Sequence, residues 1–102
     1  MTIINAVTIH PRSGEVWEDV LKQIKKSTEI MSKHGAGEVR TAVVAIGGGQ
    51  TNDVVVVSEA ENWTEFGRIQ DAVYGDPEMQ AALAEAGKIA TWEIVTAQTL
   101  EL

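Results

Sequence analysis

The chain has 102 residues, of which 44% are hydrophobic and 23% charged, a size and composition typical of a single globular domain spanning residues 1–102. The absence of cysteine excludes a disulfide framework, a thiolate nucleophile and a cysteine-bound metal, and it agrees with a reducing cytoplasm. A formal net charge of −7 repels phosphate backbones and anionic membrane surfaces, so we expect neither nucleic acid nor a membrane as a partner.

The first predicted element is a strand over residues 2–10, closed by Pro11. Neither this segment nor any later one has the basic start and long apolar core of a signal peptide, or the roughly 20 apolar residues of a membrane span. We therefore expect a cytoplasmic protein. Because side chains alternate along a strand, the sequence predicts one face with Ile3, Val7 and Ile9, and another with Ile4, Ala6, Thr8 and His10.

An amphipathic helix is predicted over residues 14–34, because apolar side chains recur there every three or four residues. Acidic residues in its first turns and lysines in its second half complement the helix dipole. Gly35 is expected to end the helix, since glycine accepts a positive φ without strain. The positions expected to face the core are Val16, Trp17, Val20, Leu21, Ile24, Thr28 and Met31.

Two strands over residues 38–46 and 53–59 are predicted to form a hairpin. Their connection begins with three glycines at 47–49, which form a turn rather than a phosphate-binding loop, because no Lys-Ser/Thr pair and no receiving helix follow. Both strands are apolar on both faces, which predicts a protein layer on each side of the sheet. The predicted faces carry Val43, Ala45, Val55 and Val57 on one side, and Ala42, Val44, Ile46, Val54 and Val56 on the other.

The C-terminal half is predicted to contain two further helices. Asn62 is expected to cap the first, with Glu65 three residues later completing a capping box. Asp76 is expected to cap a short second helix that has Pro77 in its first turn and ends near Gly87. The predicted inner-face positions are Trp63, Phe66, Ile69, Gln70, Val73, Met79, Ala82 and Leu83.

A long final strand over residues 89–100 completes the order β-α-β-β-α-β, with one short extra helix. This order is typical of the α+β ferredoxin-like, or split βαβ, fold, in which two helices cover one face of a four-stranded antiparallel sheet. Because two helices cannot cover both faces, burial of the remaining valines favours a face-to-face homodimer. The last strand is long enough to run past its own sheet and to pair with the partner.

The chain resembles the dimeric α+β barrel superfamily, which includes antibiotic-biosynthesis monooxygenases, stress-responsive barrel proteins and NIPSNAP-like proteins. The resemblance covers essentially the whole chain, and it rests on the element order, the glycine-rich hairpin, the aromatic pair Trp63 and Phe66, and the helix restart at 76–80. It implies that a small aromatic or polyketide-like ligand binds between sheet and helices. Members oxygenate, isomerise, degrade haem, or have no known chemistry, so the resemblance leaves the activity open.

Five residues are candidates for a functional site. His10 is a candidate catalytic base because histidine titrates near neutrality, and Arg40 is a candidate partner for a carboxylate or an oxyanion. Trp63 and Trp92 are candidate walls of an apolar ligand pocket, to which Tyr74 would add a phenol. Four of the five have a structural alternative: His10 as a solvated histidine, Arg40 paired with Glu38 or Glu59, and the two tryptophans packed in the core.

Haem-degrading members of the superfamily have an Asn on the first strand and a Trp on the second helix, which Asn5 and Trp63 match. They also need a histidine shortly after that Trp as the axial iron ligand, and no histidine occurs between His34 and Leu102. With two histidines in all and no His-Glu-x-x-His spacing, we expect neither a cofactor nor an intrinsic metal site.

Two functional hypotheses follow. The first is a non-enzymatic dimer that binds a small apolar or aromatic ligand or serves a stress or structural role; with its aromatic residues packed against each other, it predicts no connected cavity. The second is a cofactor-independent monooxygenase or isomerase acting on an aromatic or polyketide-like substrate, and it predicts a pocket of hundreds of Å³. The sequence shows no polar triad, which favours the first hypothesis.

Overall fold

The computed structural model describes residues 2–45 and 52–101. Two parts of the predicted hairpin lie outside these residues, namely the glycine turn at 47–49 and Ile46, the predicted end of the first hairpin strand. The elements within them, in chain order, are strand β1 (Ile3–Pro11), helix α1 (Trp17–Lys33), strands β2 (Gly37–Val43) and β3 (Val54–Ala60), helices α2 (Trp63–Gly75) and α3 (Pro77–Ile89), and strand β4 (Ala90–Gln98).

The four strands form one antiparallel sheet in the order β2-β3-β1-β4. Strand β1 therefore lies inside the sheet, while β2 and β4 form its edges. The element order and this strand order confirm the predicted ferredoxin-like α+β fold. None of the helices in the described residues has the length and apolar character needed to cross a membrane.

The sheet has two chemically different faces. Three helices pack on one of them, which we call the helix face, and the alternation predicted for β1 is confirmed. The helix face carries Ile3, Asn5, Val7 and Ile9 of β1, Val54, Val56, Ser58 and Ala60 of β3, and Trp92, Ile94, Thr96 and Gln98 of β4. The opposite face, the open face, carries Ile4, Ala6, Thr8, His10, Arg40, Ala42, Val55, Val57, Glu59, Thr91, Glu93, Val95 and Ala97.

The predicted distribution of β2 side chains between the faces is wrong by one residue. Val43 lies opposite Val54 and so belongs to the helix face, while Ala42 lies opposite Val55 on the open face. In a hairpin the register is set by the length and conformation of the connection. The apolar pattern does not reveal it here, because β2 is apolar on both sides.

Strand β4 is paired with β1 along its whole length, from Ala90 opposite Pro11 to Gln98 opposite Ile3. Within its own chain β4 ends at Gln98, and its pairing with a partner subunit stays a prediction. Its outer edge has no neighbouring strand among the residues described. An edge of this kind presents unpaired backbone N–H and C=O groups to which another chain can pair.

Helix α1 begins later than predicted, and its predicted inner stripe is confirmed at Val20, Ile24, Thr28 and Met31. Val16, Trp17 and Leu21 are exposed, whereas Ile30, which was not among the predicted inner positions, is only 3% exposed. The helix therefore contacts the core from Val20 in its first turn to Met31 near its end, while Val16, Trp17 and Leu21 point away from it. Its buried or partly buried inner positions are Val20, Gln23, Ile24, Ser27, Thr28, Ile30 and Met31.

Both predicted helix caps in the C-terminal half are confirmed. The Asn62 side chain accepts a hydrogen bond from the Glu65 N–H at 2.8 Å, and Asp76 accepts one from the Glu78 N–H at 2.9 Å. The Glu65 carboxylate bonds to Arg68 instead of returning to the cap, so the capping box is half formed. The last helix extends to Ile89, two residues beyond its predicted end.

Helix α1 ends in a Schellman motif, as the predicted stop at Gly35 requires. The Gly35 N–H donates to the Ser32 carbonyl and the Ala36 N–H to the Met31 carbonyl, both at 3.1 Å, while Gly35 has φ +96°. A Cβ at this position would also lie 2.9 Å from Nη2 of Arg68. Both features depend on the absence of a side chain.

We expect Gly35→Ala to lower the free energy of unfolding by about 1–2 kcal/mol, because a left-handed backbone is strained for an L-alanine. Gly87→Ala is the matched control, since Gly87 lies inside α3 with nothing within 4 Å of the added Cβ. That control should raise the free energy of unfolding by up to about 1 kcal/mol. Urea unfolding of both variants measures the two effects, and equal destabilisation would contradict the assignment.

Candidate functional site

A cavity of about 360 Å³ lies between the helix face of the sheet and the three helices. Protein interiors are ordinarily packed as densely as organic crystals, with few voids larger than a water molecule. An engineered apolar cavity of about 150 Å³ is already large enough to bind benzene. The cavity therefore has room for a small organic molecule, as the enzyme hypothesis predicts, and the non-enzymatic hypothesis is wrong in predicting no connected cavity.

The buried apolar residues form two clusters, and members of both line the cavity. One is built around Ile3, Ile30 and Ile69, and the other around Val20 and Val54. A domain usually has one contiguous core. Both clusters contribute to the cavity wall, through residues Ile9, Val20, Ile24, Val56, Val73, Met79 and Ala90.

Asn5 provides a polar group in the part of the wall formed by the sheet. It is 7% exposed, and its Oδ1 accepts a hydrogen bond from the Thr96 hydroxyl at 3.2 Å. Thr96 is its cross-strand neighbour on β4. This bond satisfies one acceptor that would otherwise be buried without a partner.

Helix α1 contributes three polar side chains to the wall, and two of them donate to its own backbone. The Ser27 hydroxyl donates to the Gln23 carbonyl at 3.0 Å, and the Thr28 hydroxyl donates to the Lys25 carbonyl at 2.9 Å. The third is Gln23, whose Oε1 is buried and has no hydrogen-bond partner among the described residues. A buried acceptor without a partner is rare in native proteins.

Tyr74 and Trp92, two of the three predicted ligand-binding residues, line the cavity. Tyr74 lies at the end of α2, and Trp92 lies on β4 opposite Ile9 of β1. Tyr74 and Ile94 are 46% and 50% exposed although both line the cavity, so they lie at its opening to solvent. Trp92 is partly buried and packs against the second core cluster.

Trp63, the third predicted ligand-binding residue, is not among the residues found in the cavity wall. It is 48% exposed, and its indole N–H donates to Oε1 of Gln98 at 3.0 Å. Its ring meets that of Phe66 edge to face, with ring centroids 5.8 Å apart. These contacts join the first turn of α2 to the end of β4.

His10, predicted as catalytic, lies on the open face and therefore across the sheet from the cavity. Its Nδ1 donates to Oδ2 of Asp53 at 2.7 Å, which fixes the ring. Its Nε2 lies 3.4 Å from Oε1 of Glu93, a distance at which the two form an ion pair when the ring is protonated but no hydrogen bond. A catalytic role for His10 stays a prediction.

Arg40, the second residue predicted as catalytic, also lies on the open face. Its side chain is 78% exposed, and Nη2 is 3.5 Å from Oε2 of Glu38. The structure thus brings Tyr74 and Trp92 to one site and places His10 and Arg40 on the opposite side of the sheet. A role for Arg40 in catalysis likewise stays a prediction.

The Asp76 carboxylate holds the three helices together beside the cavity. Oδ2 accepts a hydrogen bond from Nε2 of His34 at 2.7 Å and lies 3.4 Å from Nζ of Lys33, both at the end of α1. Oδ1 caps α3 through the Glu78 N–H. The bond from His34, then that from Glu78, and the Lys33 charge lower the pKa of Asp76 from 3.8 to about 2.

Because the pKa of Asp76 is lower in the folded protein than in the unfolded chain, ionised Asp76 stabilises the fold above about pH 4. This contribution is lost as the pH falls from about 4 to about 2. Asp76→Asn keeps a capping oxygen but loses the charge, so we expect it to be less stable than the wild type at pH 7. Urea unfolding from pH 7 to pH 2 should show the difference disappearing below pH 4; a constant difference would contradict the assignment.

Within residues 2–45 and 52–101, no three His, Asp or Glu side chains come close enough together to hold a metal ion.

Gln23 is a residue of the cavity wall that was not predicted from the sequence. Its position does carry a detectable signal, because it lies three residues after Val20 and four before Ser27, within the stripe that α1 turns toward the sheet. A polar residue inside an otherwise inward-facing stripe is a candidate for a buried contact or a ligand contact.

Solved structures with a similar fold include the following three. SnoaB, a cofactor-independent oxygenase from Streptomyces nogalater, has a TM-score of 0.75 at 8% identity, over 99% of this chain and 95% of that chain. A NIPSNAP family protein from Agrobacterium tumefaciens has a TM-score of 0.82 at 14% identity, over 99% and 95%. A dimeric ferredoxin-like protein of unknown function from Thermobifida fusca has a TM-score of 0.73 at 17% identity, over 97% and 92%.

No family model matches the chain, and no curated protein is detectably similar to it in sequence. At the identities of these three structures, the likeness shows the fold alone. The resemblance to the dimeric α+β barrel superfamily is thereby confirmed at the level of fold: this chain has the same arrangement of strands and helices as an oxygenase, a NIPSNAP protein and a dimeric ferredoxin-like protein.

Proposed function

We propose that the protein is a homodimeric α+β barrel protein that binds a small apolar or aromatic ligand in the cavity between sheet and helices. The observation that carries the proposal is the cavity of about 360 Å³. Its size and its largely apolar wall with a few polar groups are typical of small-molecule sites. Tyr74 and Trp92 are the proposed aromatic contacts.

The open face supports the dimer. It presents the apolar side chains of Ile4, Val55, Val57 and Val95, and the three helices all lie on the other face. Val95 is 62% exposed in the isolated chain. Covering apolar surface stabilises an assembly by about 25 cal/mol per Å² before the loss of rotational and translational freedom is subtracted. A second copy of the same face, with the free edge of β4, supplies that cover.

The second candidate function is an enzyme that acts on an aromatic or polyketide-like substrate. The reaction would be cofactor-independent oxygenation or, alternatively, isomerisation. The similarity in fold to SnoaB favours oxygenation. Oxygenation without a cofactor requires a substrate that itself donates electrons to O₂. The test is oxygen uptake with an electron-rich hydroxyaromatic compound, and uptake that disappears on Tyr74→Phe would favour the enzyme over simple binding.

A native mass spectrum of the protein purified from cells tests the assembly. We expect the mass of two chains, and a monomer at micromolar concentration would contradict the proposed dimer. Equilibrium dialysis against 1-methylnaphthalene and 1-naphthol tests the cavity. We expect saturable binding of one molecule per chain, and the absence of saturation with both compounds would contradict the proposed ligand site.

A further inference from the structure

The wall of the cavity carries no charge. Among the described residues that line it there is no Asp, Glu, Lys, Arg or His. The segment 46–51, outside the described ranges, contains none of these residue types in the sequence either. The chain as a whole is 23% charged, so this neutrality is a local property of the wall.

An uncharged, largely apolar wall discriminates against ions. An ionised carboxylate or ammonium entering the cavity loses its hydration, and no wall residue of opposite charge replaces it. A neutral molecule of the same shape loses much less. The wall therefore favours electroneutral ligands over acids and amines of equal size.

Among the described wall residues, which also include the polar side chains of Gln70 and Tyr74, Gln23 carries the buried side-chain oxygen that has no hydrogen-bond partner. Its Oε1 is buried without a partner, whereas the hydroxyls of Ser27 and Thr28 donate to helix carbonyls and Oδ1 of Asn5 accepts from Thr96. The terminal torsion of a glutamine is broad, so the amide can turn toward a ligand. A ligand hydroxyl both donates and accepts, and it satisfies the amide in either orientation.

We infer that the cavity selects electroneutral hydroxylated aromatic ligands, and that Gln23 is the residue that recognises the hydroxyl. This inference rests on the proposed ligand site and adds its selectivity. Gln23 orients the ligand by a hydrogen bond from within the wall, while the aromatic body lies against the apolar side chains of both core clusters.

Three probes of one shape test the inference by equilibrium dialysis: 1-naphthol, 1-methylnaphthalene and 1-naphthoate. In the wild-type protein we expect 1-naphthoate to bind at least about tenfold more weakly than 1-naphthol. Gln23→Met should shift the ratio of the dissociation constants of 1-naphthol and 1-methylnaphthalene about tenfold toward the methyl compound, the effect of one neutral hydrogen bond. The two ligands differ in hydration, but this difference is the same for both proteins. It therefore cancels when the ratio for the variant is compared with the ratio for the wild type.

Gln98→Met is the matched control, because Gln98 bonds to Trp63 and does not line the cavity. It should leave the ratio unchanged. Equal binding of 1-naphthoate and 1-naphthol to the wild type, or an unchanged ratio in Gln23→Met, would overturn the inference while leaving the ligand site intact. Failure of all three probes to bind would overturn the ligand site and the inference together. The charge comparison uses wild-type protein and does not depend on the folding of a variant.

Discussion

Val95→Asp is expected to convert the proposed dimer into a monomer, with a rise of at least about 100-fold in the dissociation constant. Val95 lies on the open face, where a second copy would enclose the new carboxylate without a partner. A buried, uncompensated charge costs about 3–5 kcal/mol, and 1.4 kcal/mol corresponds to a factor of ten. Because Val95 is 62% exposed in the single chain, the carboxylate remains hydrated there and the fold tolerates it.

The control for this variant is Val43→Asp. Val43 is 49% exposed and also lies on a strand, but it belongs to the helix face. Introducing the same charge there should leave the assembly unchanged. Sedimentation velocity over a range of concentrations distinguishes the two variants, and dissociation by both or by neither would show that the open face is not the contact surface.

Val7→Phe is expected to weaken ligand binding by at least about tenfold while the fold remains intact. Val7 lies on β1 between Val56 and Ile94, on the helix face, and it lines the cavity. A phenyl ring at this position occupies space that the ligand needs. Filling a void also adds packing contacts, so the free energy of unfolding should stay the same or rise by up to about 2 kcal/mol.

Val7→Ala changes the cavity in the opposite direction. It should retain binding of 1-methylnaphthalene but lower the free energy of unfolding by about 1 kcal/mol, since two partly buried methyl groups are lost. Equilibrium dialysis and urea unfolding report both quantities for both variants. Undiminished binding by Val7→Phe would place the ligand elsewhere on the molecule.

Three helix ends, the starts of α2 and α3 and the end of α1, were predictable from the sequence because each depends on a few neighbouring residues. The Asn62 and Asp76 caps are satisfied by N–H groups two or three residues away, and Gly35 closes a motif confined to one turn. The fold class was predictable for a related reason. The order of strands and helices leaves few arrangements in which short connections bury the apolar faces.

The register of β2 and the composition of the site depend on long-range packing. The alternation of side chains along β1 correctly predicted that His10 shares a face with Ile4 and Ala6. It does not indicate which of the two faces the helices cover. Aromatic character pointed to Tyr74 and Trp92, which do line the cavity. Gln23 was not predicted as a site residue, because a glutamine on a helix is most often solvated. Only the folded chain shows that its amide oxygen is buried.

Strand β4 carries both proposed surfaces on alternate residues. Trp92 and Ile94 line the cavity, while Glu93 and Val95 lie on the open face. Any displacement of this strand by a ligand therefore acts on the dimer contact as well. Thermodynamic linkage makes the effect reciprocal. If the binding of one ligand molecule lowers the dissociation constant of the dimer by a given factor, dimerisation lowers the dissociation constant of that ligand by the same factor. Measured ligand affinity would then depend on protein concentration.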